Sequence, residues 1–303
     1  MRVLVAGATG VVGRQLVPLL IGAGHEVVAT TRSQDKFDRL WAQGARPITL
    51  DVLDADAVRS AVVEFRPEAI VHQATALSAL GNNFRHFDRL FATTNLLRTK
   101  GTENLLAAGR EVGTSRFVAQ SYRWAFTDAA GQITADPPKA FRQSAAALRR
   151  VEELVLQTPG AVALRYGSFY GPNTSLARSG PQIKAIGRRQ LPIIGGGGGI
   201  WTFLHVQDAA TATLAALTRG EGVYTVIDDE PAPVREWLPY LASVLGAKPP
   251  RHLPAGLAKL AAGAGATWMM TKAPGASNAA AKRDLAWTPS RKSWRDGFLA
   301  ELG

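Results

Sequence analysis

The sequence predicts an α/β protein: an open, doubly wound parallel sheet, with a smaller lobe built from the C-terminal part. Three observations predict it. The first half alternates short apolar runs with helical stretches, the pattern of strands joined by crossover helices. A glycine-rich turn over residues 7–13 links the first apolar run to the first helix. The length of 303 residues suffices for one large α/β unit and a smaller lobe.

Taken in order, strands are expected at Arg2–Ala6, Glu26–Thr30, Arg46–Thr49, Ala69–His72, Phe117–Gln120 and Val162–Tyr166. Helices are expected between them at Val11–Ala23, Asp35–Gln43, Asp54–Phe65, Phe87–Gly109 and Phe141–Gln157. Pro18 lies inside the first helix and removes one of its hydrogen bonds. Asp54 reads as the cap of the third helix. After Tyr170-Gly171-Pro172 the pattern is less regular. The glycine run 195–199 reads as a flexible loop, followed by an extended stretch Trp201–His205 and a helix from Asp208. A strand Val223–Ile227 and a helix Val234–Leu245 come next. The expected division is therefore 1–172 for the sheet domain, with returning segments at about 201–230, and 173–303 mainly for the second lobe. A cleft between them is the place for a ligand, at the carboxyl ends of the strands.

Composition excludes several classes. There are no cysteines, so disulfides, thiolate metal sites and cysteine nucleophiles are absent. The five histidines show no metal-binding spacing, and no metal is expected. A hydrophobic share of 46% with 19% charged residues is ordinary for a globular chain. The apolar run at the N-terminus flows straight into the glycine turn and reads as a strand rather than a signal peptide. The Ala/Gly-rich stretch Pro254–Met270 is interrupted by Lys259 and reads as a helix of the lobe, not a membrane span. A cytoplasmic protein, monomeric or homodimeric, is the expectation. The net charge of +11 comes from scattered basic residues without a Lys/Arg block, so no nucleic-acid partner is expected. A small anionic ligand accounts for a basic surface equally well.

The segment Gly7-Ala8-Thr9-Gly10-Val11-Val12-Gly13 follows a strand and opens a helix. Gly7 permits the tight turn, Gly10 lets the backbone approach a pyrophosphate, and Gly13 allows close helix–strand packing. In that context the motif predicts a dinucleotide on a Rossmann-type fold. An NAD site would carry an acidic residue at the end of the second strand to bond the ribose 2′-hydroxyl. Here the stretch reads Ala29-Thr30-Thr31-Arg32-Ser33. Arg32 offers charge-assisted contacts to a 2′-phosphate, which favours NADP(H). Asp51 and Val52, after the third strand, are placed for the adenine; Ala74 and Thr75 after the fourth strand, together with Thr31 and Tyr166, complete the expected cofactor contacts.

With these residues in place, the chain resembles the extended short-chain dehydrogenase/reductase family along nearly its whole length. The likeness runs through Asp51–Asp54, His72–Ala76, Asn95 with Gly101–Leu106, Leu164-Arg165-Tyr166, Tyr170-Gly171-Pro172, Phe203–Asp208 and Lys282–Pro289. The resemblance implies a Ser–Tyr–Lys set in which serine polarises a carbonyl, tyrosine exchanges its proton and lysine lowers the tyrosine pKa. Tyrosine and lysine stand four apart so that one helical face presents both. None of the five tyrosines has a lysine four residues on. Aligning on Glu152-Glu153-Leu154-Val155 puts Ser144 and Leu148 at those positions; a one-residue slip puts Ala145 and Arg149 there. The pair is missing in either register. At the serine site the strand ends Gln120-Ser121-Tyr122, with Tyr122 where the catalytic serine is expected.

Tyr122, assisted by Ser121, is then the candidate proton donor for a carbonyl reduced by NADPH. A phenol or enol of the substrate is the alternative source. Trp124, Trp201, Trp268, Met269 and Met270 suit a flat, bulky ligand, although each has a core-packing role available. His205 and Asp208 read as structural, at the junction of the lobes. Arg123, Arg142, Arg149 and Arg150 are candidates for substrate anions, with solvated helix faces as the default. The resemblance accommodates an NADPH-dependent ketoreductase for a bulky aromatic or polyketide ketone, including the angucyclinone type of simocyclinone biosynthesis. It also accommodates a nucleotide-sugar epimerase or dehydratase, which the missing pair disfavours, and a non-catalytic NADP-sensing regulator.

Overall fold

A computed structural model of the chain describes residues 1–77, 87–123 and 137–303. Its strands begin with β1 (Arg2–Ala6), β2 (Glu26–Thr31), β3 (Arg46–Thr49), β4 (Ala69–His72), β5 (Arg116–Tyr122) and β6 (Ala161–Tyr166). They continue with β7 (Ser168–Tyr170), β8 (Ile193–Ile194), β9 (Ile200–Trp201), β10 (Phe203–His205), β11 (Gly222–Val226), β12 (Ala232–Pro233) and β13 (His252–Leu253). Seven of them form one parallel sheet in the order β11-β6-β5-β4-β1-β2-β3. The order reverses between β1 and β4, and that switch opens the crevice used for ligands in such sheets.

Helices cover both faces, which is why β1, β4 and β6 are buried almost throughout rather than alternating. On one face α1 (Gly13–Gly22) buries Leu16, Val17 and Leu20 against Val3, Val5 and Val27. The same face carries α2 (Phe37–Ala42), whose Leu40 joins that cluster. On the other, α3 (Ala55–Phe65) is followed in the chain by α4 (Phe87–Leu90), α5 (Ala92–Leu96), α6 (Thr102–Glu111) and α7 (Arg142–Leu156). Val58 and Val62, with Leu105 and Val151, pack there against Leu4, Ile70 and Ala119. The first helix runs through Pro18, which sits on its exposed side. Asp54 caps α3, its carboxylate accepting from the Ala57 amide at 3.0 Å.

The continuous helix expected over 87–109 is interrupted. Between α5 and α6 the backbone widens into a π-turn, Leu97–Gly101, a local bulge often found at functional sites. The start of α7 has no cap of its own, and Asp88 of α4 supplies one, accepting from the Gln143 and Ser144 amides at 2.9 Å.

Later elements are α8 (Pro181–Gly187), α9 (Val206–Ala215), α10 (Val234–Val244), α11 (Ala255–Lys272), α12 (Ala279–Asp284) and α13 (Trp294–Leu302). Helix α9 starts at Val206, two residues earlier than expected, because the His205 ring caps it through the Gln207 amide. The stretch expected as one strand over 201–205 is two, β9 and β10, pairing with β12 and β7. A second core gathers Phe203, Trp237, Trp294 and Phe298 with Ile193 and Ile194. The glycine run is not the free loop expected: Gly195 donates to the Leu253 carbonyl at 2.9 Å and Gly199 to the Met270 carbonyl at 3.1 Å. A Cβ on Gly199 would fall 2.1 Å from the Met269 carbonyl oxygen, so close backbone approach selects glycine. Helix α11 is broken at Gly263, whose φ of +88° suits glycine. Among the described residues no helix is long and apolar enough to cross a membrane.

Candidate active site

The turn between β1 and α1 has the shape of a phosphate cradle. Gly7 sits at φ +86°, and the Gly10 amide folds back to its carbonyl at 3.0 Å. A Cβ on Gly7 would lie 2.6 Å from the Ala74 amide nitrogen, and one on Gly13 2.4 Å from the Gly7 carbonyl oxygen. Helix α1 has no side-chain cap and no acidic residue in its first turn. The Arg14 and Gln15 amides are bonded to the Gly10 and Val12 carbonyls at 3.0 Å, so it is the turn ahead of them and the positive end of the dipole that face an anion. Thr9, Gly10 and Val11 edge the turn while Val12 is buried behind it. These features fit a dinucleotide pyrophosphate. Arg14, which the sequence reading missed, reaches back from α1 to the Thr9 carbonyl at 2.8 Å and adds positive charge beside the turn.

Thr31 and Arg32 end β2, beside Asp51 and Val52 after β3. Thr31 is buried, its hydroxyl accepting from the Ser33 amide at 3.2 Å; Arg32 is exposed. Asp51 is exposed and accepts from the Leu53 amide at 3.0 Å, while the Val52 carbonyl accepts from Asn104 at 2.9 Å. Ala74 and Thr75 are half-buried after β4, with Ala74 against Gly7. The structure thus gathers these expected residues along the carboxyl ends of β3, β2, β1 and β4.

Tyr166 does not join them. It is fully buried, and its hydroxyl is engaged by Gln73 at 3.0 Å and Thr213 at 2.6 Å. It supports the wall of the crevice instead of reaching a cofactor. Ser121 is also turned away. It is fully buried and donates to Glu152 at 2.8 Å, and Glu152 grips Arg165 through two contacts of 2.6 Å. That network ties α7 to β5 and β6, a task for which the residue must point into the protein.

Tyr122 points the other way, as alternation along a strand requires. It is half-buried against Phe87, Phe91, Phe141 and Leu148, with its hydroxyl 3.5 Å from the Ser168 hydroxyl. Burial pushes its pKa up to about 12, against the opposing pull of Ser168 and of the Arg98 charge. This phenol is therefore a poor acid. Ser144 and Leu148 stand where one register of the resemblance puts tyrosine and lysine; the slipped register puts Ala145 and Arg149 there. Ser144 is buried and donates to Asp88 at 2.7 Å; Leu148 belongs to the apolar cluster beside Tyr122. Met269 and Trp268 border that cluster, whereas Met270 and Trp201 pack in the second core. Trp124 lies outside the described residues. Asp208 holds the Ser290 and Arg291 amides at 2.9 and 3.0 Å and pins the lobe, as its structural reading expected.

Arg98 went unremarked in sequence. It is buried on the π-turn, and its charge acts on both Tyr122 and His72. His72 is itself buried, with Nε2 2.9 Å from the Leu97 carbonyl; desolvation lowers its pKa to about 4, so the ring is neutral.

A parallel sheet with its switch beside a glycine cradle defines a Rossmann-type dinucleotide-binding protein. The chain belongs to the NAD-dependent epimerase/dehydratase family, which it matches over residues 3–226. It is 42% identical to a 3-diazoavenalumate denitrifying reductase of a Streptomyces species, covering 99% of this chain and all of that one. It is 29% identical to the 4-hydroxy-2-methyl-3-oxo-4-farnesyl-3,4-dihydroquinoline-1-oxide ketoreductase of Stigmatella aurantiaca, over 82% of this chain and 74% of that one. Among solved structures, the UDP-glucose 4-epimerase of Thermus thermophilus in complex with NAD aligns over 99% of this chain and 97% of that chain, with a TM-score of 0.70 and 25% identity.

Proposed function

We propose that the chain is an NADPH-dependent reductase of a bulky aromatic small molecule, and that its reaction draws no proton from a tyrosine–lysine pair. The observation that carries this reading is that neither register supplies the pair: one offers Ser144, held on Asp88, and Leu148, buried among phenyl rings, and the other offers Ala145 and Arg149. The cradle at Gly7–Gly13 suits a dinucleotide and Arg32 favours NADPH among them; when bound, it supplies a hydride equivalent.

The favoured acceptor is an aromatic ring bearing a diazo group, since a diazo compound is what the relative at 42% identity is named for. When an arenediazonium carbon takes up a hydride equivalent, a C–H bond forms and the C–N bond breaks with its electron pair leaving as dinitrogen. NADP+ and the arene remain, and no proton is consumed. A neutral leaving molecule needs no acid, which agrees with a phenol as weakly acidic as Tyr122. The chain's own contribution is to orient the ring against Tyr122 and the phenyl cluster and to keep water out.

A second reading is ketone reduction, including polyketide-type ketones, favoured by the ketoreductase relative. It requires a proton for the developing alkoxide, from Tyr122 or from a phenol of the substrate. Incubation of the protein with 4-deuterated NADPH separates the two. The diazo reading expects dinitrogen and arene in equal amounts, with deuterium at the carbon that carried nitrogen. Alcohol formed only from hydroxyaryl ketones overturns it in favour of the second. Tight NADP binding with no turnover of either class supports a sensor instead.

A further inference from the structure

Arg98 is 3% exposed, and its Nε and Nη2 have no hydrogen-bond partner. Those two donors share one edge of the guanidinium, the edge that grips a carboxylate through two parallel N–H···O bonds. Among the described residues no carboxylate acts on it; the Tyr122 phenol is the group that does. Burial lowers its pKa only to about 10, so it remains a cation at neutral pH. A buried cation without a counter-ion is unfavourable in a folded chain unless something completes it.

Its position says where that partner comes from. The Arg98 charge acts on His72, the last residue of β4, and on Tyr122, the last of β5. These strands are neighbours, so the guanidinium lies at the carboxyl ends of the sheet, on the ligand side. The backbone under it is the π-turn, a local bulge of the kind often found at functional sites. Two further buried atoms lack partners: Nδ1 of His72, on which the Arg98 charge acts, and Oδ1 of Asn95, three residues before Arg98.

We propose that Arg98 is the binding residue for a carboxylate carried by the aromatic ligand, so that the chain selects aromatic acids. That this ligand is the substrate rests on the reductase reading; its binding does not. The same chemistry could be met by a cofactor phosphate, but the cradle at Gly7–Gly13 and the positive end of α1 already serve the pyrophosphate.

The test is a titration of the NADP+-loaded protein with 4-hydroxycinnamate and with its methyl ester, followed by calorimetry. The acid is expected to bind at least about 10-fold more tightly than the ester, as loss of a buried charge partner implies. Arg98→Gln should abolish that preference while leaving the Kd for NADP+ within about 2-fold, and Arg98→Lys should not restore it, since a point charge lacks the fork. Arg98→Met should also raise the Tm of the ligand-free protein, because an unpaired buried charge is removed. Equal binding of acid and ester, or no binding of the acid, overturns the proposal. So does an Arg98→Gln protein that loses NADP+ as strongly as it loses the acid, which would assign the fork to the cofactor. If the variants do not fold, the acid–ester comparison in the parent decides alone. Turnover enters none of these readouts: a protein that discriminates acid from ester but consumes no NADPH retains this inference and loses the reductase reading.

Discussion

The hydroxyl of Ser144 donates to Asp88 Oδ1 at 2.7 Å, and the Ser144 amide donates to the same oxygen at 2.9 Å. The residue that one register puts at the position of a proton-donating tyrosine is thus part of a helix cap. Removing the hydroxyl takes one charge-assisted bond from Asp88 and an acceptor from Asn95, which donates to Ser144 at 3.2 Å. Ser144→Ala should cost about 2 kcal/mol of stability, read from denaturant unfolding, and leave turnover within about 2-fold. A fall of about 100-fold with unchanged folding would instead make Ser144 an acid.

Tyr122→Phe addresses the remaining donor. Burial holds the phenol at about 12, so it is expected to contribute shape more than acidity. On a diazo substrate the variant should turn over within about 3-fold of the parent. On a hydroxyaryl ketone the outcome distinguishes the two proton sources: a loss of about 100-fold assigns the proton to Tyr122, and near-parent turnover assigns it to the substrate.

Arg32 tests the cofactor. Its guanidinium is exposed at the end of β2, and a 2′-phosphate is the feature that separates NADPH from NADH. Arg32→Ala should weaken NADPH by about 30-fold, the worth of a charge-assisted contact of about 2 kcal/mol, and leave NADH unchanged. Parallel losses for both cofactors, measured as KM or Kd, would remove Arg32 from the 2′-position.

How far the sequence carried these conclusions depended on how local each feature is. The bounds of β1, β3 and β4 and the cap at Asp54 follow from neighbouring residues, and the cradle is a single turn with glycine where the backbone closes on Ala74. The Asp88 cap joins residues 55 and 56 positions apart, and no periodicity announces it. Tyr166 failed as a cofactor contact because both faces of β6 are buried, so alternation could not show that its hydroxyl turns to Gln73 and Thr213. Arg98 was hidden by the pattern itself. A continuous helix over 87–109 gives it no special place, whereas the π-turn puts it under the strand ends. The Gly195–Gly199 run looked free because composition reports conformational freedom, not the backbone partners that remove it.

Asp228 sets a pH dependence away from the site. It is 1% exposed, with Oδ2 lacking a partner, and burial pushes its pKa up to about 8 against the hydrogen bond from the Glu230 amide. The negative charges of Glu230 and Asp229 add to the rise. Folding therefore takes up a proton between the unfolded pKa of about 4 and the folded one. The sign follows: this contribution is complete below about pH 4 and is lost as pH rises through about 8. His72 works in the opposite sense, because its folded pKa of about 4 lies below the unfolded value; it removes stability as pH falls from about 6.5 toward 4. Measurements between about pH 6.5 and 8.5 thus isolate Asp228. Across that window the parent Tm should fall by roughly 3 °C relative to Asp228→Asn, which keeps an acceptor for the Glu230 amide and carries no titratable group. Parallel Tm profiles for parent and variant would mean that the Asp228 carboxyl is ionised throughout and that its burial is relieved in solution.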